Sequence, residues 1–336
     1  MGLFKAIKKR MTNQFIAVIV YEESCAIKVK RVKKTQTLLE ETKEFELHSK
    51  ERLSKDVITY IQTLQEDVEQ TYIVLFLNSY GQGVVPSCLK SDYKKYHIDY
   101  NNVKEICIDK KYSIYASLID IKWAEKLFID TGLDFIFSPF LILDSLIKRE
   151  TSQDKENVTL YMMNCVNSIT VMIFKGGRLL YGAFINIAKE EDLLSSDFES
   201  EDTDGDSLED EMLEEIDLDL EMEENTEILD ILDDVQSDEK QFQSTHKDEN
   251  EEVVSRLFGQ DLRLVKYFDA SLREFYENEL YDSDFITAVK IYDSCDLSKE
   301  VIEYLKEQLL IDIKRDSIDI HDQLLKLAMQ ETDINA

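Results

Sequence analysis

Residues 158–186 read VTLYMMNCVNSITVMIFKGGRLLYGAFIN, three β-rich runs joined by an Asn-Ser and a Gly-Gly connection. In the first run Val158, Leu160 and Met162 alternate with Thr159, Tyr161 and Met163. The second, Ile169 to Phe174, is β-branched and apolar enough for a strand buried on both faces. Gly176 and Gly177 supply the positive φ that a short hairpin requires, and Leu179 to Ile187 completes a meander.

A related pattern opens the chain. Phe15 to Tyr21 (FIAVIVY) reads as a buried strand, and Cys25 to Val32 alternates Ile27 and Val29 against Lys28 and Lys30. Thr37 to Leu47 is a third, more polar run. Two meanders in one chain, each feeding helices, predict a two-lobed α/β protein.

Between the meanders, Tyr112 to Ile119 reads as a strand and Asp120 as the cap of a helix carrying Trp123, Leu127 and Phe128. Residues Gly132 to Phe140 (GLDFIFSPF) then combine a helix end at Gly-Leu, a short strand, and a proline opening the next helix. With the two meanders, this crossover resembles the PilM-like family of actin-like (ASKHA) proteins, to which the cytoplasmic domain of GspL is similar. The resemblance extends over the chain outside its acidic stretch. Leu262 to Phe268 resembles the helix after the second meander, Phe285 to Tyr292 the late strand, and Leu297 to Leu310 the helix behind it. Ile318 to Ile320 and Gln323 to Glu331 resemble the closing strand and helix. The family implies an actin-like fold, a duplicated ribonuclease H-like β-meander plus helices, with lobes at 15–150 and at 151–188 with 253–336.

Active members of that superfamily hold ATP on two Asp-containing hairpin turns and a late glycine-rich turn. Glycine serves there because a residue without Cβ lets backbone N–H groups approach phosphate. Here the first turn is Val20-Tyr21-Glu22-Glu23-Ser24, where Glu22 and Glu23 would repel a triphosphate. The second is Met163-Asn164-Cys165-Val166-Asn167, again without aspartate or glycine, and in the third Asp293-Ser294-Cys295-Asp296 replaces the expected glycine pair. Loss at all three removes the Mg²⁺-organising carboxylates and the phosphate cradle together, so a pseudo-ATPase without cofactor is expected.

The chain's 336 residues carry 70 acidic against 39 basic side chains, a net charge of −31. Glu190 to Glu252 holds 29 of the acids against Lys240 and Lys247, leaving the rest of the chain at −4. The acidity therefore belongs to an insertion at 189–252, expected to be largely disordered. Leu208, Met212, Leu213, Ile216 and Leu220, then Ile228, Leu229, Ile231, Leu232 and Val235, recur near helical spacing within it. A solvated spacer is the first reading and a conditional partner-binding helix the second. Asp202, Asp204 and Asp206 do not make an EF-hand, because Ser207 and Leu213 stand where glycine and a bidentate glutamate are needed.

Other chemistry is thin. The odd, widely spaced Cys25, Cys88, Cys107, Cys165 and Cys295 read as reduced core thiols of a cytosolic protein. His48, His97, His246 and His321 lack neighbours at ligand spacing, so no metal site is expected. Asn78 to Gly83 (NSYGQG) lacks the Lys-Ser/Thr end of a phosphate loop and reads as a turn. The slightly acidic fold disfavours nucleic acid, and no apolar run reaches membrane-spanning length. Residues 1–14 form a basic leader in which Leu3, Phe4, Ile7 and Met11 share one helical face amid Lys5, Lys8, Lys9 and Arg10. Residues 1–11 suit either peripheral contact with an anionic membrane or a frayed terminus.

The resemblance implies a non-catalytic cytoplasmic scaffold, peripheral to the inner membrane, in an assembly platform for type IV pili, type II secretion or DNA uptake. Its implied partners are a PilN-like inner-membrane protein, gripped by its cytoplasmic tail, and a secretion ATPase complex. Within the first lobe the expected contact is the helix Ser49 to Asp67, probed at Lys55, Thr59 and Gln62. The other class in play is an ATP-binding cytoskeletal or sugar-kinase-like ATPase with unusual phosphate turns.

Overall fold

Strand β1 (Thr12–Val20) is buried from Asn13 to Ile19, and its alternating side chains feed two different cores. Phe15, Ala17 and Ile19 face one cluster and Ile16 and Val18 the other, as expected of a strand covered on both faces. The computed structural model describes residues 12–34, 36–150, 157–187 and 260–333. After β1 come β2 (Ser24–Lys33), β3 (Gln36–Glu46), α1 (Lys55–Asp67), β4 (Gln70–Phe76), β5 (Gln82–Val85) and the single turn α2 (Lys90–Tyr93). They are followed by β6 (Val103–Ile108), β7 (Tyr112–Ser117), α3 (Leu118–Leu127), β8 (Phe135–Phe137) and α4 (Pro139–Lys148). The second half holds β9 (Val158–Cys165), β10 (Ser168–Lys175), β11 (Arg178–Asn186), α5 (Gln260–Glu277), β12 (Ala288–Asp293), α6 (Lys299–Leu309), β13 (Asp312–Ser317) and α7 (Ile320–Glu331).

Both five-stranded sheets share one plan. The first runs β3-β2-β1-β4-β8 and the second β11-β10-β9-β12-β13. In each, the first three strands are antiparallel neighbours and the last two run parallel to the first. That order, met twice, is the duplicated unit of an actin-like fold. A third sheet, β5-β7-β6, is antiparallel and inserted between β4 and β8. Glycine at 182 lets β11 lie close to β5, since any side chain there would run into the Val84 side chain.

The larger core joins the sheets. Phe140, Ile142 and Leu143 of α4 and Leu324, Leu325 and Ala328 of α7 pack with Val74 and Phe76 of the first sheet and Met163 and Met172 of the second. The other core buries Val57, Ile61 and Leu64 of α1, with Ala124 and Leu127 of α3, on the opposite face of the first sheet. Burying each such large aliphatic side chain stabilises by about 1.5–3 kcal/mol. Helices α1, α3, α4, α6 and α7 are capped by Ser54, Ser117, Ser138, Ser298 and Asp319, whose side chains each accept a backbone N–H of the first turn.

Several expectations are corrected. The leader cannot extend to residue 14, because Thr12 to Gln14 pair with Lys33 to Arg31 and the Asn13 and Gln14 side chains are wholly buried. Gln14 escapes the usual cost of burial through bonds to Leu64 O and from Arg31. Cys88 and Cys107 are not reduced core thiols: they form a disulfide, with Cys107 exposed on β6. Cys88 lies just past β5 and Cys107 on β6, the two strands that flank β7, so their pairing is a non-local consequence of topology. Ser117, not Asp120, caps α3; Asp120 Oδ2 instead accepts from Gly81 N at 3.1 Å. The closing strand is Asp312–Ser317 rather than Ile318 to Ile320, because Asp319 caps α7 by accepting from Asp322 N. The helix expected from Ser49 starts at Lys55, and the turn expected over Asn78 to Gly83 gives way at Gln82 to β5. The acidic insertion and residues 1–11 lie outside the described residues.

Candidate functional site

The three turns expected to carry phosphate lie at the C-terminal ends of β1, β9 and β12, and all three are held by hydrogen bonds within the chain. In the first, Tyr21 N donates to Ser24 O at 2.8 Å, and Glu23 O accepts from Leu47 N at 2.8 Å. Glu22 and Glu23 are exposed, and Glu22 is ion-paired with Lys50. The Tyr21 ring packs against the inter-sheet core. Burial pushes its phenol up to about 12, assisted by the nearby Cys165 and Cys295 thiols and the Glu44 and Asp319 carboxylates. Those groups lie on the second and third turns, on β3 and at the cap of α7, so the Tyr21 phenol stands near all three turns.

The second and third turns are stitched to each other. Register pairs Asp293 with Asn164, and Asn164 Nδ2 donates to Asp293 Oδ1 at 2.9 Å. Ser294 closes on the Asn164 carbonyl with both its N–H, at 3.0 Å, and its hydroxyl, at 2.9 Å. Asp293 is fully buried and its remaining acceptor capacity is taken. Oδ1 accepts from Cys295 N at 3.0 Å, and Oδ2 accepts from Leu297 N at 2.9 Å and Arg315 Nε at 2.8 Å. Arg315 also reaches Asp293 through Nη2 at 2.6 Å and donates from Nη1 to Leu297 O at 2.6 Å. A carboxylate so engaged has no lone pair left for a metal ion. Asp296, at φ of +56° and with its side chain 95% exposed, places Oδ1 3.7 Å from Arg315 Nη2 at the surface.

Burial also holds the thiols of this region in their neutral form, with Cys165 pushed up to about 12 and Cys295 to about 11. Neither is poised as a nucleophile at neutral pH. Lys28, on β2 of the first sheet, is committed to carboxylates: Asp322 at 2.6 Å, Asp319 at 2.9 Å and Glu40 at 3.4 Å. Among the described residues no group of three or more His, Cys, Asp or Glu side chains is arranged to hold a metal ion.

The structure therefore brings Asn164, Cys165 and Asp293 together and leaves Glu22, Glu23 and Asp296 at the surface. Lys55, Thr59 and Gln62 lie exposed on α1, where Gln62 Nε2 donates to Asp130 O at 3.2 Å. Sequence reasoning missed Tyr21 and Arg315. Arg315 sits on a strand of mixed charge and meets Asp293 only through the parallel β12–β13 register, which no local pattern announces.

The doubled sheet order defines an actin-like fold, and the turns at the ends of β1, β9 and β12 are held by bonds within the chain. The chain belongs to the family described as Domain of unknown function (DUF8341), whose model matches residues 160–333. Residues 11–144 match a second model, Domain of unknown function (DUF8569). Comparison with curated proteins finds no match. Among solved structures, the chain is similar to a Bacteroides thetaiotaomicron protein with an actin-like ATPase fold and unknown function. Identity is 11%, coverage 95% of this chain and 96% of that one, and the TM-score 0.42. A PilM-PilN type IV pilus biogenesis complex matches at 10% identity, 94% of each chain and a TM-score of 0.47. An exopolyphosphatase from Cytophaga hutchinsonii matches at 7% identity, 96% and 100% coverage and a TM-score of 0.39.

Proposed function

We propose that this chain is a non-catalytic scaffold of an inner-membrane assembly platform, serving type IV pili, type II secretion or DNA uptake. Its actin-like body, whose first lobe opens with β1 and whose second opens with β9, grips the cytoplasmic tail of a PilN-like membrane protein and adjoins a secretion ATPase complex. The observation that carries the non-catalytic part is the engagement of Asp293 by Arg315, Asn164 and two backbone N–H groups, beside a ring at Tyr21. A triphosphate would need those groups released and that ring displaced. The scaffold part draws on the resemblance of residues 132–140 and of the paired meanders to the PilM-like family. Partner contact is placed on α1 around Lys55, Thr59 and Gln62, and residues 1–11 offer peripheral contact with anionic lipid.

Two measurements test this reading. Millimolar ATP with Mg²⁺ should leave the melting temperature unchanged; a ligand present at a hundredfold its Kd would add about 2.7 kcal/mol and shift it by degrees. Affinity capture from solubilised membranes should recover a single-span protein with a short cytoplasmic tail. An ATP-dependent shift abolished by changes in the three turns, or filaments forming on adding ATP with no membrane protein recovered, would overturn the scaffold in favour of the cytoskeletal ATPase.

A further inference from the structure

Strand β3 ends the first sheet, and among the described residues nothing pairs with its outer edge. It runs for 11 residues with eight side chains exposed, whereas strands are typically about 5–6 residues long. A long bare edge is a template for a further strand, and folded proteins usually cover or shorten it. The other edges of this fold are handled differently. β8 has 3 residues and β5 has 4, β11 is packed against β5 at Gly182, and β6 and β13 have 6 residues each with balanced charge.

Charge selects what β3 can accept. Glu40, Glu41, Glu44 and Glu46 stand against Lys43 alone, giving the strand a net charge of −3. Glu40 is ion-paired with Lys28 and Lys30, and Glu41 accepts from Tyr60 OH on α1, whereas Glu44 and Glu46 are exposed towards the end nearest α1. Pairing with β3 of a second copy would set like charges opposite each other and is disfavoured. An extended basic segment would gain backbone bonds along the edge and charge pairing with the free glutamates. Leu38, 49% exposed, and the half-buried Phe45 offer apolar contacts at the two ends of such a strand.

We infer that the outer edge of β3 is a docking surface for an extended, lysine- or arginine-rich peptide segment, which adds to the first sheet as a sixth strand. This rests on the scaffold reading and deepens it: the partner's tail would enter as a strand beside α1 rather than as a helix.

The test uses the full chain and two synthetic peptides of equal charge and about twelve residues, one alternating lysine and valine, the other a helix-forming lysine–alanine sequence. The alternating peptide should bind about tenfold more tightly, and amide exchange should show new protection confined to residues 36–46. Glu44→Lys combined with Glu46→Lys should weaken it about tenfold with an unchanged melting temperature. Equal binding of both peptides, or protection elsewhere, overturns the inference. The same double variant in the membrane capture separates the two readings. Undiminished recovery of the membrane protein sinks the β3 edge and keeps the scaffold. Recovery of none by the unaltered chain sinks the scaffold, and the peptide comparison still decides the edge.

Discussion

Lys28 Nζ lies 2.9 Å from Asp319 Oδ2, joining β2 of the first sheet to the residue that caps α7. Asp322, one turn into that helix, is closer still at 2.6 Å, and His321 Nε2 lies 3.2 Å from Ala26 O on the same strand. Helix α7 follows directly from β13 of the second sheet, so this junction ties the two halves of the duplicated fold together. The lysine side chain is 11% exposed and its acidic partners 37–46%, so the cluster is half-screened by water.

A pH dependence follows. His321, whose Nδ1 lies 3.7 Å from Asp319 Oδ1, holds the Asp319 carboxyl well below the usual range against the opposing effect of burial, and Lys28 lowers it further. Burial opposes the Lys28 charge, but the bonds to Asp322 and Asp319 outweigh it and raise its pKa. A depressed carboxylate contributes stability above its unfolded value, about 4, and loses it as pH falls towards the folded value. A raised lysine contributes below about 10.4 and loses it only in strong alkali. Lys28→Met should cost about 1 kcal/mol at neutral pH, discounted for solvent screening. In urea titrations the gap between the two proteins should close below about pH 4. A gap independent of pH would assign it to packing.

The Asp293 latch should be the costlier one to break. Asp293→Ala leaves Arg315 with Leu297 O and the exposed Asp296 and strands Asn164, and should cost about 3–5 kcal/mol in denaturant unfolding. Asp293→Asn keeps the shape and some acceptors and should cost less. A loss below about 1 kcal/mol for the alanine variant would mean that water readily replaces the carboxylate.

The Cys88–Cys107 disulfide closes a sequence separation of 19 residues. Chain-entropy arguments put its contribution near 3 kcal/mol, so Cys107→Ser or reduction should lower the melting temperature. Thiol titration of the denatured, unreduced chain should count three free thiols, Cys25, Cys165 and Cys295. Five would show the pair reduced.

Replacing Glu190 to Glu252 by a short Gly-Ser linker should leave the melting temperature nearly unchanged, because 29 acids against 2 bases repel one another on compaction. A large loss would show that the segment packs.

The residues 158–186 that decide the fold are legible because their chemistry is local. Alternation over Val158 to Met163, the doubly apolar run Ile169 to Phe174 and the φ of +55° and +77° at Gly176 and Gly177 each follow from near neighbours. The same holds for Ser138 and Pro139 opening α4. Element ends were less legible, since caps such as Ser117 and Asp319 depend on which oxygen reaches a free N–H. The absence of glycine from the phosphate turns could be read directly. Their closure could not: it needs Asp293 to meet Asn164 across one parallel ladder and Arg315 across another, and Tyr21 to lie against the core between the sheets. Lys28 with Asp319, and Cys88 with Cys107, are likewise products of register and strand order. Short-range propensity and periodicity wrote the elements and their order. Pairing between residues 19 to 291 positions apart was decided only when the sheets assembled, because a side chain carries no local mark of the partner that burial will force upon it.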